Sequence, residues 1–182
     1  MILSLFRKDP LKDAADALYA AAAEQARLPE FYLSYGVDDT VEGRFEMTAL
    51  HAWLLLRRLR DAGKDARKLS RTLSDVFFAE MDGALRELGV GDLSVGRKIR
   101  AMAEAFYGRI AAYETALKEP GVSDALASAL ARNVYGSENP LKARRLADYV
   151  RRSLAALAAE PDGRITLGIA AFADPNCAER TP

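Results

Sequence analysis

The chain is short of the residues that most chemistry needs. It has one cysteine, one histidine and one tryptophan in 182 residues. A single thiol, Cys177, cannot close an internal disulfide, so nothing asks for an oxidising compartment. His51 has no second histidine or nearby cysteine to share a metal. It sits inside an apolar run and reads as a core histidine bonded to a neighbouring helix. No Gly-x-Ser-x-Gly elbow occurs, so a serine triad has no scaffold. Gly91-Asp-Leu-Ser-Val-Gly96-Arg97-Lys98 imitates a phosphate loop, but arginine holds the lysine position and Lys98 the Ser/Thr position. A helix also precedes it where a strand should, so it reads as helix punctuation. No repeated Glu-x-x-His pattern marks a di-iron bundle. The expectation is a protein without catalytic residues, metal or cofactor.

Net charge and long apolar runs are lacking too. Lys+Arg and Asp+Glu number 26 each, against the basic excess of a sequence-specific nucleic-acid binder. The densest apolar run, Ala49 to Leu56, falls well short of the ~20 residues that span a bilayer. Met-Ile-Leu-Ser-Leu-Phe-Arg-Lys at the start has its charges after a short apolar stretch, the reverse of a secretory signal, and is no mitochondrial presequence. The expected location is cytoplasmic, with peripheral contact at the inner face of the cytoplasmic membrane allowed by Ile2, Leu3, Leu5, Phe6, Arg7 and Lys8.

What is present is helical patterning. Half of the residues are apolar, and no segment alternates with period two for long. Asp9-Pro10 caps and opens a first helix that stops before Pro29. Residues 31–42 read as irregular. A second helix, 43–62, is apolar nearly all round and belongs in the middle of a bundle. A third, 65–88, carries Leu69, Leu73, Val76, Phe77, Leu85 and Leu88 along one stripe and ends at Gly89. Asp92 or Ser94 caps the fourth, whose Val95, Ile99, Met102, Phe106, Ile110, Tyr113 and Leu117 repeat at three and four. Pro120-Gly121 ends it, Ser123 starts a fifth helix to Tyr135, and Pro140 opens a sixth to Ala159. The segment 165–172 fits a short strand or a helix. The fold class is all-α: a single-domain bundle of about six helices over 1–182.

Four ordered motifs carry a resemblance. They are Phe45-Glu-Met-Thr-Ala-Leu-His51-Ala-Trp-Leu-Leu-Leu-Arg57-Arg58-Leu, Phe77-Phe78-Ala-Glu-Met-Asp82-Gly-Ala-Leu-Arg86-Glu87-Leu-Gly89-Val-Gly91-Asp92-Leu, Met102-Ala-Glu-Ala-Phe106-Tyr107-Gly108-Arg109 with Ala111-Ala112-Tyr113, and Ala129-Leu-Ala-Arg132-Asn133-Val-Tyr135-Gly136. Together they resemble the ubiquinol–cytochrome c chaperone family over about 30–155, with the helix 10–28 and the tail 161–182 outside the likeness. The resemblance implies an early role in assembling respiratory complex III. The partner is newly made cytochrome b, before its haems and partner subunits are in place. A small companion protein and the ribosome are further partners in mitochondrial members, and no cofactor or catalytic residue is implied. Without a targeting segment, the chain looks like a bacterial branch.

Asp82, Arg86, Asp92, Tyr107 and Arg109 surround the 89–93 turn. They either pin it by charge-assisted bonds or face the client. Pinning is the better reading for Asp82 and Arg86, client contact for Tyr107 and Arg109. Gly108, beside them, would let a partner helix approach closely. Arg57, Arg58, Arg97, Lys98, Arg144 and Arg145 read as a solvated, ion-paired surface or as a basic face toward anionic lipid or ribosomal RNA. Two other classes stay open: a helical enzyme for a prenyl or quinone-like lipid, whose Asp-Asp-x-x-Asp cluster is not found at Asp38-Asp39, and a structural subunit of the mature complex.

Overall fold

A computed structural model describes residues 9–118 and 124–177. The N-terminal segment Ile2–Lys8, Pro120-Gly121 and Ser123 lie outside the described residues. Eight α-helices and one 3-10 helix make up the regular structure of those described, with no strand among them. They are α1 Pro10–Ala26, α2 Pro29–Leu33, α3 Val41–Asp61, α4 Lys64–Glu87, α5 Asp92–Lys118, α6 Ala125–Tyr135, the 3-10 helix Pro140–Ala143, α7 Arg144–Ala159 and α8 Asp162–Thr166. The six long helices are those expected from the sequence; α2 and α8 are short additions. No helix among the described residues is long and apolar enough to cross a membrane.

α3 is the hub, packed against α1, α4, α6 and α7. Met47, Leu50, Trp53, Leu54, Leu55 and Leu59 are all buried, so most of its apolar surface is covered by neighbours. Each such side chain contributes about 1.5–3 kcal/mol on burial. The helix starts two residues before the expected Gly43. Thr40 caps it, its Oγ1 accepting from the Gly43 amide at 3.1 Å. A Cβ on Gly43 would lie 2.0 Å from the Asp38 carbonyl oxygen, so the entry turn demands glycine.

Three expectations need correction. Residues 31–42 are not simply irregular: α2 occupies their start, and Phe31, Tyr35 and Val37 are core residues. The α4 stripe buries Leu69, Leu73 and Phe77 but not its last turn, where Leu88 is 62% exposed. Neither Asp92 nor Ser94 caps α5; the Gly91 carbonyl accepts from the Ser94 and Val95 amides, placing both residues inside the helix. Between α4 and α5 the turn closes as foreseen. Gly89 has φ +79°, the Val90 amide donates to the Leu85 carbonyl and the Gly89 amide to that of Arg86. This is the Schellman pattern.

The tail beyond α7 is ordered on the bundle through residue 177 and forms no strand. Gly168, at φ +86°, passes so close to α1 that a Cβ would meet the Ala14 carbonyl oxygen at 2.9 Å. Further on, the Ala173 carbonyl accepts from Gln25 Nε2, its amide donates to Ser153 Oγ, and the Pro175 carbonyl accepts from the Tyr35 hydroxyl.

Beneath this strap lies His51, fully buried. Its Nδ1 sits 2.7 Å from the Met47 carbonyl and its Nε2 2.7 Å from the Tyr149 hydroxyl. A carbonyl can only accept, so Nδ1 carries the proton and Tyr149 donates to Nε2. Rings of Phe31, Tyr149 and Phe172 surround the imidazole. Burial pushes its pKa from 6.5 down to about 4. Between these values the unfolded chain binds a proton that the folded protein refuses, so stability falls as the pH drops below 6.5. Urea unfolding should show a loss of about 2 kcal/mol between pH 7.5 and pH 5 from this group. Because His51 is the sole histidine, its NMR signals in the folded protein should stay unchanged through that range. A midpoint near 6.5 would contradict the buried, neutral assignment.

Candidate functional site

Three of the four family-like motifs converge where α4 and α5 meet the first half of α3, and the fourth lies on α6. Phe77 of α4 and Phe106 of α5 stack with centroids 4.7 Å apart. Together with Ala49 and Ala52 of α3 they form a second, smaller core, with Tyr19, Phe45, Phe78, Met81 and Ile110 packed against it. The expected core residues Phe77, Phe106 and Tyr113 are buried, and Met102 is partly so.

Arg86 bonds both Asp82, at 2.6 Å, and Asp92, tying the last turn of α4 to the first of α5. Asp92 thus joins Asp82 and Arg86, of which pinning was expected, in one ion-paired trio. All three are substantially exposed, so solvent screens these pairs strongly. Tyr107 is 53% exposed, beside Phe78 at 6.2 Å between centroids. Nothing lies within 4 Å of where a Gly108 Cβ would point, so the face beside Tyr107 is open.

Arg109 is placed differently. Its guanidinium makes a two-point ion pair with Glu46 of α3, Nε lying 2.6 Å from Oε2, and stands over the Phe45 ring. Both partners are largely buried. Burial holds the Glu46 carboxyl above its usual range, with the Arg109 bonds pulling the other way. Glu46 escaped the sequence reading, although a carboxylate between Phe45 and Met47 in a buried helix was its signal. Glu114 was missed for the same reason. It accepts from Trp53 Nε1 at 3.0 Å, from Arg57 and from Arg60. Burial alone would raise its pKa; these three donors outweigh that and hold it below the ordinary carboxylate value.

The six basic residues do not form one surface. Arg57 is engaged by Glu114. Arg58 has 10% of its side chain exposed and donates to the Leu157 and Glu160 carbonyls, closing the end of α7. Arg144 pairs with Asp124, while Arg145 donates to the Ser34 carbonyl and lies over the Tyr35 ring. Only Arg97 and Lys98 stand on an exposed stretch of α5 without an ion pair among the described residues.

One side of the smaller core opens into a groove of about 370 Å³ between α1, α3, α4 and α5. Its floor is Phe45, Met81, Leu85 and Met102. Val41 and Leu88, 60% and 62% exposed, form its lip. Through Arg27 and Arg44 it continues into a second depression of about 330 Å³ beside Leu33, which is 84% exposed. No group of three acidic, histidine or cysteine side chains that could hold a metal occurs among the described residues. The arrangement suits apolar contact with a macromolecular partner.

Removing Arg109 while Glu46 stays should leave a buried carboxylate unpaired. Arg109→Ala is expected to cost about 3–5 kcal/mol, and a Glu46→Leu/Arg109→Met pair to recover most of it. Tyr107→Ala should stay within about 0.5 kcal/mol of the parent. Urea midpoints of the four proteins check this; an Arg109→Ala protein as stable as the parent would show that the pair contributes nothing.

Comparison with known proteins adds the family. The Ubiquinol-cytochrome C chaperone family model matches residues 33–172, from the end of α2 into the ordered tail. Ubiquinol-cytochrome-c reductase complex assembly factor 1 of Xenopus laevis is 27% identical over 153 residues, 82% of this chain and 74% of that protein. The human protein of the same name matches at 27% identity over 82% of this chain, which spans half the human protein's length. The crystal structure of a Cbp3 homolog from Brucella abortus covers 98% of this chain and 100% of its own, at 34% identity and a TM-score of 0.83. The chain belongs to the ubiquinol–cytochrome c chaperone family.

Proposed function

We propose that the protein is a non-catalytic assembly chaperone that binds newly made cytochrome b during biogenesis of ubiquinol–cytochrome c reductase. Family membership across residues 33–172 supports a role in assembling that complex. The observation that carries the binding mode is the open apolar groove built where the family-like motifs of α3, α4 and α5 meet. A newly made multi-helix membrane protein exposes loops and unpacked helix ends. A rigid helical scaffold with an unfilled apolar groove can hold such a segment until haem and partner subunits complete the client.

Within this proposal Tyr107 contacts the client, while Asp82, Arg86 and Asp92 keep the α4–α5 turn in shape. Arg109 acts through its pair with Glu46. In this reading Arg97 and Lys98 meet anionic lipid at the inner face of the cytoplasmic membrane, where each basic group contributes about 1 kcal/mol. A small companion protein and the ribosome are the further partners of this reading.

A tagged copy recovered from growing cells should bring down haem-poor cytochrome b without the full set of complex III subunits. Quantifying cytochrome b and its haem in the eluate tests this. Recovery of the finished complex in equal amounts would make the protein a structural subunit instead. No cytochrome b, under conditions that keep weak complexes together, would end the proposal.

A further inference from the structure

α4 carries one apolar stripe along its whole length, but its partners cover only part of it. Leu69, Leu73 and Phe77 are buried. The same register continues as Met81, Leu85 and Leu88, at spacings of four and three, and these line the groove instead of a packed interface. Gly83 and Ala84 lie between them in the groove wall, leaving room for a close neighbour. A stripe of this kind on a helix is the half of a helix–helix contact.

The groove also selects the conformation of what enters it. Its floor is apolar, and the Thr48 hydroxyl is already donated to the Arg44 carbonyl. A peptide bound by strand addition needs an exposed strand edge for its backbone, and no strand exists among the described residues. A helix brings its backbone bonds with it.

Charge orders the two rims. Arg27 and Arg44 stand on the α1 and α3 side. Glu80 and Glu87, seven residues apart on α4, stand on the other. Arg44 is paired with Asp39, whereas Arg27, Glu80 and Glu87 make no ion pair among the described residues. Three of the exposed large apolar side chains of the protein, Leu33, Val41 and Leu88, lie along this same path.

We infer that the groove is the docking site for an amphipathic helix of a partner protein. That helix has an apolar stripe, acidic side chains along the edge facing Arg27 and Arg44, and basic side chains along the edge facing Glu80 and Glu87. The inference deepens the chaperone proposal and rests on it only for whose helix this is.

The test uses a dye-labelled, stapled peptide of about 15 residues, long enough for a stable helix, with Leu at i, i+3, i+4 and i+7 and the two charged edges as stated. Fluorescence anisotropy should show saturable binding to the full chain. Leu88→Asp and Arg27→Glu, both at exposed positions and checked for parental circular dichroism, should each weaken it about tenfold. A peptide with its edges exchanged should bind worse than the first to the parent, and the Arg27→Glu protein should lose that preference. Equal binding of a peptide with a scrambled stripe, or indifference to both variants, would overturn the inference. So would a parental dimer in sedimentation that Leu88→Asp dissolves, which gives the groove to a second copy, or anionic-vesicle binding that Leu88→Asp abolishes, which gives it to the bilayer. In cells, loss of cytochrome b from pull-downs with both variants supports the inference. Undiminished cytochrome b with both would remove the groove as its site and leave the chaperone proposal standing. Peptide binding without any cytochrome b on the parental protein would do the reverse.

Discussion

A helix that is apolar over most of its circumference has only a weakly preferred rotation, and α3 is such a helix. Its orientation depends on the few polar side chains it carries into the interior. Glu46 must meet Arg109 of α5, His51 must meet Tyr149 of α7, and Trp53 and Arg57 must both meet Glu114 of α5. Turning α3 by one residue, about 100°, would part all of them at once. Each unpaired buried group would then cost about 1–3 kcal/mol, and more where it is charged. Hydrophobic burial supplies the stability, and these contacts choose one arrangement from many of similar apolar content.

The same contacts decide where the protein is open. Two of the α5 groups that answer α3, Arg109 and Glu114, lie in its second half. Among the described residues, the Schellman turn and the Arg86 ion pairs tie the last turns of α4 to the first of α5. That end is therefore defined in shape but thinly covered. Met81, Leu85, Leu88 and Met102 remain on a groove wall because no further described element crosses over them.

This uneven coverage explains what was legible in the sequence. The α5 stripe from Val95 to Leu117 is nowhere exposed, as its spacing implied. The α4 residues also read as one stripe, yet its end at Leu88 faces solvent. Spacing identifies a face that wants a partner; it cannot say whether the partner belongs to the same chain. Phe31, Tyr35 and Val37 were hidden by polar neighbours in a segment too short for periodicity to register. Arg57 and Arg58 read as a surface pair, but their partners lie 57 and 99 residues away, beyond any local pattern. His51 was legible because its isolation in an apolar run left burial as the simplest account.

Reversibility follows from the size of the groove. Covering three large exposed aliphatic side chains contributes roughly 5–9 kcal/mol, while association costs about 4–15 kcal/mol before any net affinity appears. A partner segment that arrives disordered must also lose its conformational freedom, and the balance then turns against binding. A segment already helical avoids that loss, and charged edges add specificity and speed of encounter more than strength. A site with these proportions holds a preformed helix at modest affinity. Under the docking proposal, release follows once a larger apolar surface, such as the helix's own place in a finished membrane protein, competes for the same stripe.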